Sequence, residues 1–221
     1  MRRIIAYIVY GEDKTYYDGV KFSFLTFMNW ISLDAPVEIV ILTEKPQEFD
    51  NYPVSVIKLK ADQKKKWSLD GKYHFRIKNR GLAFLMDELK LSIEDKILFF
   101  DADTYFNKSP LELFNLIQPN QALFYLNEGL IYKRKRFEVY VKNLAGKSID
   151  IDGQIYKLSK NSALWGSLMI GIMPNMRHSL DWADLLMLKF YEMVPSHTIE
   201  PFSLSESLLR NYNLAEGKKY V

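Results

Sequence analysis

The stretch Lys96-Ile97-Leu98-Phe99-Phe100-Asp101-Ala102-Asp103-Thr104-Tyr105-Phe106 carries the strongest structural signal in this sequence. Its apolar run, residues 97–100, has the length of a buried strand and is too short for a helix. A strand that is apolar at every position is covered on both faces, as in the centre of a parallel sheet. The run therefore predicts an α/β fold with a mostly parallel central sheet flanked by helices.

Two carboxylates, Asp101 and Asp103, follow this strand and flank Ala102. Ligands of open α/β sheets bind beyond the carboxyl ends of the strands. Mg²⁺ and Mn²⁺ favour oxygen ligands, and Mg²⁺ is typically held by one or two carboxylates together with substrate phosphates. The structural alternative is that Asp101 caps a turn and Asp103 caps a following helix. Because a buried strand directly precedes the pair, the sequence favours a Mg²⁺ or Mn²⁺ site formed by Asp101 and Asp103.

The composition limits the classes of protein to which the chain can belong. With 221 residues, 48% of them hydrophobic, the chain has room for one substantial α/β domain, and disorder is not expected. A net charge of only +3 and the lack of a recognition motif argue against nucleic-acid binding. No cysteine is present, which excludes disulfides and thiolate metal sites. No segment approaches the roughly 20 apolar residues that cross a bilayer, so a cytoplasmic location is the default expectation.

The hydrophobic pattern predicts alternating strands and helices along the chain. Strands are expected at 4–10, 37–42, 54–59, 97–100, 122–126 and 162–174, and helices at 16–31, 73–91, 175–193 and 202–212. A hairpin is expected at 148–158, which makes its D-x-D, Asp150-Ile151-Asp152, a turn feature. Residues 61–72 are expected to form a loop, 132–144 either a helix or an edge strand, and 216–221 a frayed tail.

Basic residues cluster before and within the predicted helix 73–91. Arg76, Lys78 and Arg80 stand near its start, where cations gain nothing from the helix dipole. An anionic ligand would explain at least one of them, and ordinary surface exposure is the alternative. The run 64–66 is three lysines, which fits either a solvated loop or a basic lip near a phosphate-bearing ligand or an anionic membrane surface.

The D-x-D block, together with Ser109-Pro110-Leu111-Glu112-Leu113-Phe114, resembles GT-A fold glycosyltransferases, with the glycogenin-like and galactosyltransferase-like families nearest in style. The resemblance covers most of the chain from Arg2 to about Leu214, but only the D-x-D block is specific. It implies a single Rossmann-like GT-A domain over 1–221. Its nucleotide-binding part would span about 1–106, and its acceptor-side part about 107–214.

On the donor side, the resemblance implies that Tyr10 and Gly11 border the nucleotide base. The helix 73–91 is similar to the family helix whose basic residue approaches the donor, a role for Lys78 or, in its place, Arg76. Asp101, Ala102 and Asp103 would contact the donor, and Asp101 and Asp103 would bind the metal ion.

On the acceptor side, residues 161–167 resemble the family's "N-(S/A)-G" strand, which would place Trp165 and Gly166 beside the acceptor. Residues 198–205 resemble its acidic stretch, so Glu200 is the expected carboxylate near the acceptor. It would be a general base in an inverting transferase and would orient or stabilise the sugar in a retaining one. His197 is the only late histidine and would be a further metal ligand.

Two positions depart from the family pattern. Pro201 stands where Gln would be expected, and Ala163 stands where Gly is common. Both lie in the acceptor-side segments, so they bear on those assignments more than on the metal site.

These features predict a glycosyltransferase that uses Mn²⁺ or Mg²⁺ and a nucleotide-sugar donor, with a UDP-sugar favoured. The acceptor, a glycan, lipid-linked or protein molecule, is open, and surface glycan synthesis and peripheral contact with the inner face of a membrane are compatible with the basic, aromatic surface. A sugar-phosphate nucleotidyltransferase is one alternative, although residues 11–14 contain only one of the glycines that its phosphate loop would need. A non-catalytic nucleotide-sugar-binding module is the other.

Overall fold

A computed structural model describes residues 1–31 and 36–221 of the chain. Within these residues, seven strands form one sheet and two more form a separate hairpin. The strands are β1 (Arg3–Val9), β2 (Glu38–Thr43), β3 (Ser55–Lys58), β4 (Lys96–Phe100), β5 (Gln121–Leu130), β6 (Ile149–Ile151), β7 (Gln154–Tyr156), β8 (Ala163–Ile172) and β9 (Asn213–Glu216).

Seven α-helices accompany these strands in the described residues, with several short 3₁₀ turns. The helices are α1 (Lys14–Met28), α2 (Ala61–Trp67), α3 (Arg76–Glu88), α4 (Leu113–Leu116), α5 (Glu138–Leu144), α6 (Arg177–Met193) and α7 (Ile199–Leu209). None of the helices within 1–31 and 36–221 is both long and apolar enough to cross a membrane.

The sheet has the strand order β3-β2-β1-β4-β8-β5-β9. Strand β8 is antiparallel to its neighbours β4 and β5, and the other pairs are parallel. From β1 the chain first proceeds outward to β2 and β3 and then returns to place β4 on the other side of β1. The strand order therefore reverses between β1 and β4, and such a switch point opens a crevice at the carboxyl ends of the two strands.

The predicted α/β class, with a mostly parallel sheet between helices, is confirmed. Strand β1 shows why both faces are apolar: Ile4 and Ala6 pack into a core shared with α3, α6 and α7, while Ile5 and Tyr7 pack into a second core shared with α1 and α4. Successive residues of a strand point to opposite faces, so a strand between two layers must be apolar throughout.

Three sequence predictions need correction. The predicted loop 61–72 contains helix α2, whose start is closed by a bond from the Lys60 amide to the Gln63 side chain and whose end is held by the buried Trp67 ring. The predicted frayed tail, 216–221, is ordered: Glu216 ends strand β9, which pairs with β5, and Tyr220 is buried. Both corrections have one cause, since the packing partners lie far away in the sequence.

The third correction concerns the last helix. It begins at Ile199 and not at residue 202, so Glu200 lies in its first turn. Pro201 is tolerated there because the first turn of a helix has backbone N–H groups without intrahelical partners. The region 132–144, which was predicted to be either a helix or an edge strand, forms 3₁₀ turns and helix α5.

Candidate active site at the carboxyl end of β4

A chain of three buried hydroxyl groups supports the turn that carries the D-x-D. Thr104 Oγ1 donates to the Asp101 carbonyl at 2.8 Å, and the Ser23 hydroxyl lies 3.1 Å from Thr104 Oγ1. The Tyr7 hydroxyl continues the chain, 2.8 Å from Ser23 Oγ. Because buried hydroxyl groups need partners, this network fixes the turn relative to β1 and α1.

Helix α1 approaches the same turn through Gly19. A Cβ atom at this position would lie 2.5 Å from the Ala102 carbonyl oxygen, a backbone atom that cannot move aside as a side chain can. The glycine therefore allows the helix to lie directly against the D-x-D backbone.

This contact leads to a testable prediction for Gly19→Ala. In an ordinary helix interior the change would stabilise the protein by about 1 kcal/mol. Here we expect a loss of about 1–3 kcal/mol in the free energy of unfolding, because the new methyl group overpacks the turn. Urea denaturation measures it, and a gain in stability would show that the turn is free to move.

Lys78 is the centre of the site's charge network. Its Nζ lies 2.9 Å from Asp101 Oδ2 and 3.6 Å from Glu200 Oε2, and it donates to both the carbonyl and the hydroxyl of Ser167 at 3.2 Å. The Ser167 hydroxyl donates in turn to Glu200 Oε2 at 2.8 Å. Helix α3, strand β8, helix α7 and the D-x-D turn thus meet at one ammonium group.

Lys78, Asp101 and Glu200 interact electrostatically and form an ion cluster. Burial opposes the charge of Lys78, but Glu200 and Asp101 outweigh that effect and raise the pKa of the lysine. Burial also raises the pKa of Asp101, and Lys78 partly offsets the increase. One cation therefore stabilises two carboxylates that have lost much of their hydration.

Glu200 is the most deeply buried acid of the site, with only 3% of its side chain exposed. Burial raises its pKa to about 7, even though Lys78 and Ser167 favour the ionised form. Its second oxygen, Oε1, has no hydrogen-bond partner among the described residues. A carboxyl group with a pKa near neutrality can accept or release a proton under physiological conditions.

The raised pKa predicts how stability depends on pH. Because the native state binds the Glu200 proton more tightly than the unfolded chain, this stabilisation is present below pH 4.5 and is lost as the pH rises through about 7. Relative to Glu200→Gln, the wild type should lose on the order of 3 kcal/mol between pH 5 and 8. Urea unfolding across this range measures the difference.

A matched control for this titration is Glu192→Gln, since that side chain is 69% exposed. Its stability should follow the wild-type pH profile. Parallel profiles for Glu200→Gln and the wild type would show that the buried carboxyl does not titrate in this range.

The two D-x-D carboxylates differ in environment. Asp101 is 30% exposed and is paired with Lys78, whereas Asp103 is exposed at the mouth of the site. Among the described residues, no three His, Asp or Glu side chains are grouped to hold a metal ion. The all-oxygen pair nevertheless fits the requirement of Mg²⁺ or Mn²⁺ when phosphates of a bound substrate supply further ligands.

Tyr10 and Gly11, which were predicted to border the nucleotide base, lie at the end of β1, across the crevice from the D-x-D. Gly11, with a φ of +94°, donates its amide to Glu44 Oε2 at 2.8 Å, and Lys64 Nζ bonds the same oxygen at 2.7 Å. The Tyr10 hydroxyl donates to the His74 carbonyl, and Lys64 lies 6.0 Å from the centre of the Tyr10 ring. Lys64 therefore belongs to this crevice and is not a freely solvated lysine.

Two residues that were predicted to contact the donor or the metal ion, Arg76 and His197, lie outside the Lys78 cluster. Arg76 makes a buried, two-pronged ion pair with Asp184 and also donates to two backbone carbonyls, so it joins α3 to α6. Arg80 lies 3.5 Å from the same aspartate. His197 is exposed in the loop before α7 and does not form a three-residue metal group with Asp101 and Asp103. Lys78 is thus the basic residue that the helix contributes.

The predicted acceptor-side pair occupies β8 next to Ser167. Trp165 is buried, and its amide donates to Ser205 of α7. Gly166 lies beside Glu128 of β5, whose Oε1 would be 3.1 Å from a Cβ added there. The two residues face opposite sides of the strand, so Gly166 is the one that leaves backbone accessible.

Ser167 was not predicted as a site residue, although it lies in the segment 161–167 that was assigned to the acceptor side. The available signal was a hydroxyl in an otherwise apolar strand, since a buried polar group requires a partner. Ser23 and Thr104 were also missed, because their connection depends on contacts across 81 residues.

No protein-family model and no curated protein matches this chain. A functional proposal therefore depends on the geometry of the site and on the resemblance of the D-x-D region to that of GT-A fold glycosyltransferases.

Proposed function

We propose that the protein is a metal-dependent glycosyltransferase that transfers a sugar from a nucleotide-sugar donor, with a UDP-sugar favoured. In this proposal residues 1–221 form one GT-A type domain, with the donor bound by about 1–106 and the acceptor by about 107–214. The function goes beyond the α/β fold itself, because folds of this class carry many chemistries.

One observation carries the proposal: the D-x-D pair ends the strand at the sheet's switch point and shares Lys78 with the buried Glu200. A switch-point crevice is where open α/β sheets bind ligands. A cluster of perturbed titratable groups in such a crevice is a feature of functional sites more than of ordinary surfaces.

Asp101 and Asp103 would hold Mg²⁺ or Mn²⁺, which supplies positive charge to the departing diphosphate when it is bound. Lys78 adds a second, permanent positive charge beside Asp101. Glu200 retains a buried oxygen without a partner among the described residues, and the pKa of its carboxyl group, about 7, would suit an exchange of protons with an acceptor hydroxyl that reaches it.

A thermal-shift screen tests the proposal. UDP-, GDP- and CMP-sugars are added with and without millimolar Mn²⁺. At a ligand concentration near 100 times the Kd, the matching donor should raise Tm by about 5–10 °C in the presence of Mn²⁺. Hydrolysis of that donor, measured as release of the nucleoside diphosphate, then separates an enzyme from a binding module.

The screen can also refute the proposal. No shift and no hydrolysis with any of these donors would exclude a nucleotide-sugar site. Release of pyrophosphate from a nucleoside triphosphate and a sugar phosphate would instead identify a nucleotidyltransferase.

A further inference from the structure

A groove of about 700 Å³ lies on the acceptor side, between the hairpin β6–β7 and the end of α7. Ligand pockets usually have volumes of roughly 300–1,000 Å³, so this groove is large enough for a ligand of several rings. Its polar lining consists mainly of Tyr156, Lys157, Asn161, Ser162, Glu206 and Arg210, and we call it the α7 groove.

Glu206 is the acidic group of the α7 groove and is held in a fixed position. Its Oε2 accepts hydrogen bonds from the Tyr156 hydroxyl at 2.6 Å and from the Ser162 hydroxyl at 2.9 Å. Burial raises the pKa of Glu206, which these two hydroxyls partly offset. The hydroxyl contacts use one carboxyl oxygen, so the group retains further capacity to accept hydrogen bonds from a ligand.

The rim of the α7 groove is positively charged. Neither Lys157 nor Arg210 forms an ion pair with an acidic side chain in the part of the chain that the structure describes. The Arg210 guanidinium stacks at 4.6 Å from the centre of the Trp182 ring, which holds it at the rim. A planar guanidinium fixed in this way favours carboxylate, phosphate or sulfate groups.

Apolar surface completes the α7 groove. Ile155 and Leu209 line it and are 59% and 37% exposed. A saccharide presents apolar C–H faces between its hydroxyl groups, so it matches a surface that alternates apolar and hydrogen-bonding groups. Lys157 and Arg210 give the groove two cations against the single carboxyl group of Glu206, so an acidic saccharide is the better match.

One strand–helix pair links the α7 groove to the candidate active site. Ser167 of β8 contacts Glu200 of α7, and Ser162, directly before β8, contacts Glu206 farther along the same helix. Five residues separate Ser162 from Ser167, at most about 17 Å along an extended strand, and six separate Glu200 from Glu206, about 9 Å along the helix axis. Even the shorter span exceeds one sugar ring, so a ligand that fills both sites must be an oligosaccharide.

We propose that the α7 groove binds an acidic oligosaccharide and is the distal subsite for the acceptor. The groove's role as an acceptor subsite rests on the proposed glycosyltransferase function, whereas binding of the oligosaccharide does not. Arg210 and Lys157 recognise its acid groups, and Glu206 and Asn161 recognise its hydroxyls.

The test measures binding by isothermal titration calorimetry without donor or metal. The probes are the tetrasaccharides of polygalacturonate, hyaluronan and heparin, with maltotetraose as the neutral probe and tetraglutamate as the acidic peptide. At least one acidic tetrasaccharide should bind at least about 10-fold more tightly than maltotetraose and tetraglutamate. Arg210→Ala and Lys157→Ala should each weaken this binding at least about 10-fold.

Lys160→Ala is the matched control, since Lys160 is an exposed lysine between two residues of the groove but does not line it. It removes the same charge and should leave the Kd within about twofold. Binding that is weakened equally by all three variants would overturn the proposal by showing general attraction to basic surface. Absence of acidic tetrasaccharide binding, or tetraglutamate binding of equal strength, would also overturn it.

The two proposals can fail separately. If donors produce no thermal shift but an acidic tetrasaccharide binds through Arg210 and Lys157, the groove is a glycan-binding site and the transferase assignment fails. If a donor is bound and hydrolysed but no acidic tetrasaccharide binds, the transferase assignment stands and the groove proposal fails.

Discussion

Replacing Asp103 by Asn is expected to lower Mn²⁺-dependent donor hydrolysis at least about 100-fold, with little change in stability. The loss follows because a neutral amide cannot provide the negative charge that Asp103 would bring to the proposed metal site. Stability should stay within about 0.5 kcal/mol, since Asp103 is exposed. Steady-state kinetics at saturating Mn²⁺ and urea unfolding are the two measurements.

The chain contains its own control for this substitution. Asp152 belongs to a second D-x-D in the hairpin β6–β7, where its φ of +52° marks a tight turn. Because Asn tolerates this backbone conformation as well as Asp does, Asp152→Asn should leave both hydrolysis and folding unchanged. Equal activity of the Asp103→Asn variant and the wild type would show that the D-x-D at β4 is only a turn.

Replacing Lys78 by Met is expected to destabilise the protein by about 3–5 kcal/mol at pH 8. The substitution keeps the aliphatic stem but removes the cation that compensates Asp101 and the almost fully buried Glu200. At pH 5 the loss should be smaller, because Glu200 without its cation is protonated and no longer leaves a buried charge. Urea unfolding at the two pH values measures both losses.

Two further variants make this prediction specific. Lys21 exposes a similar fraction of its side chain to Lys78, 15% against 14%, but it lies nearer the surface, and its partners Glu48 and Asp18 are more accessible to water than Glu200. Lys21→Met should therefore cost no more than about 1 kcal/mol.

In the second variant, Glu200→Gln is combined with Lys78→Met, which removes one of the two uncompensated acids. The double variant should recover at least about 1 kcal/mol relative to additivity. Strict additivity would show that Lys78 and Glu200 do not interact.

Much of the fold was predictable because its strands are defined locally. The apolar runs that form β1, β2 and β4 signal burial on both faces, and their boundaries were predicted to within about two residues. Elements whose order depends on distant partners were predicted less well. The lysine-rich helix α2 is mostly polar, and packing of its Trp67 against Phe84 of α3 stabilises it. Strand β9 is only four residues long and half polar, and pairing with β5 makes it regular.

The residues of the candidate site likewise divide into those that local sequence could predict and those that depend on distant partners. Asp101 and Asp103 could be identified from the sequence, because a strand and the residues that follow it are contiguous. Arg76 and Lys78 could not be distinguished, since both are cations near the start of one helix. They are two residues apart on α3, and their guanidinium and ammonium groups bind different partners, Asp184 and Asp101.

By itself, then, the sequence determined the α/β layers and the pair of acids after β4, because hydrophobic period and chain neighbourhood are local properties. Tertiary structure alone decided that Lys78, Ser167 and Glu200 meet Asp101, since 89 residues separate Lys78 from Ser167 and 33 separate Ser167 from Glu200. Such contacts exist only once the sheet has formed, because the burial that raises the pKa of Glu200 is a property of the folded layers.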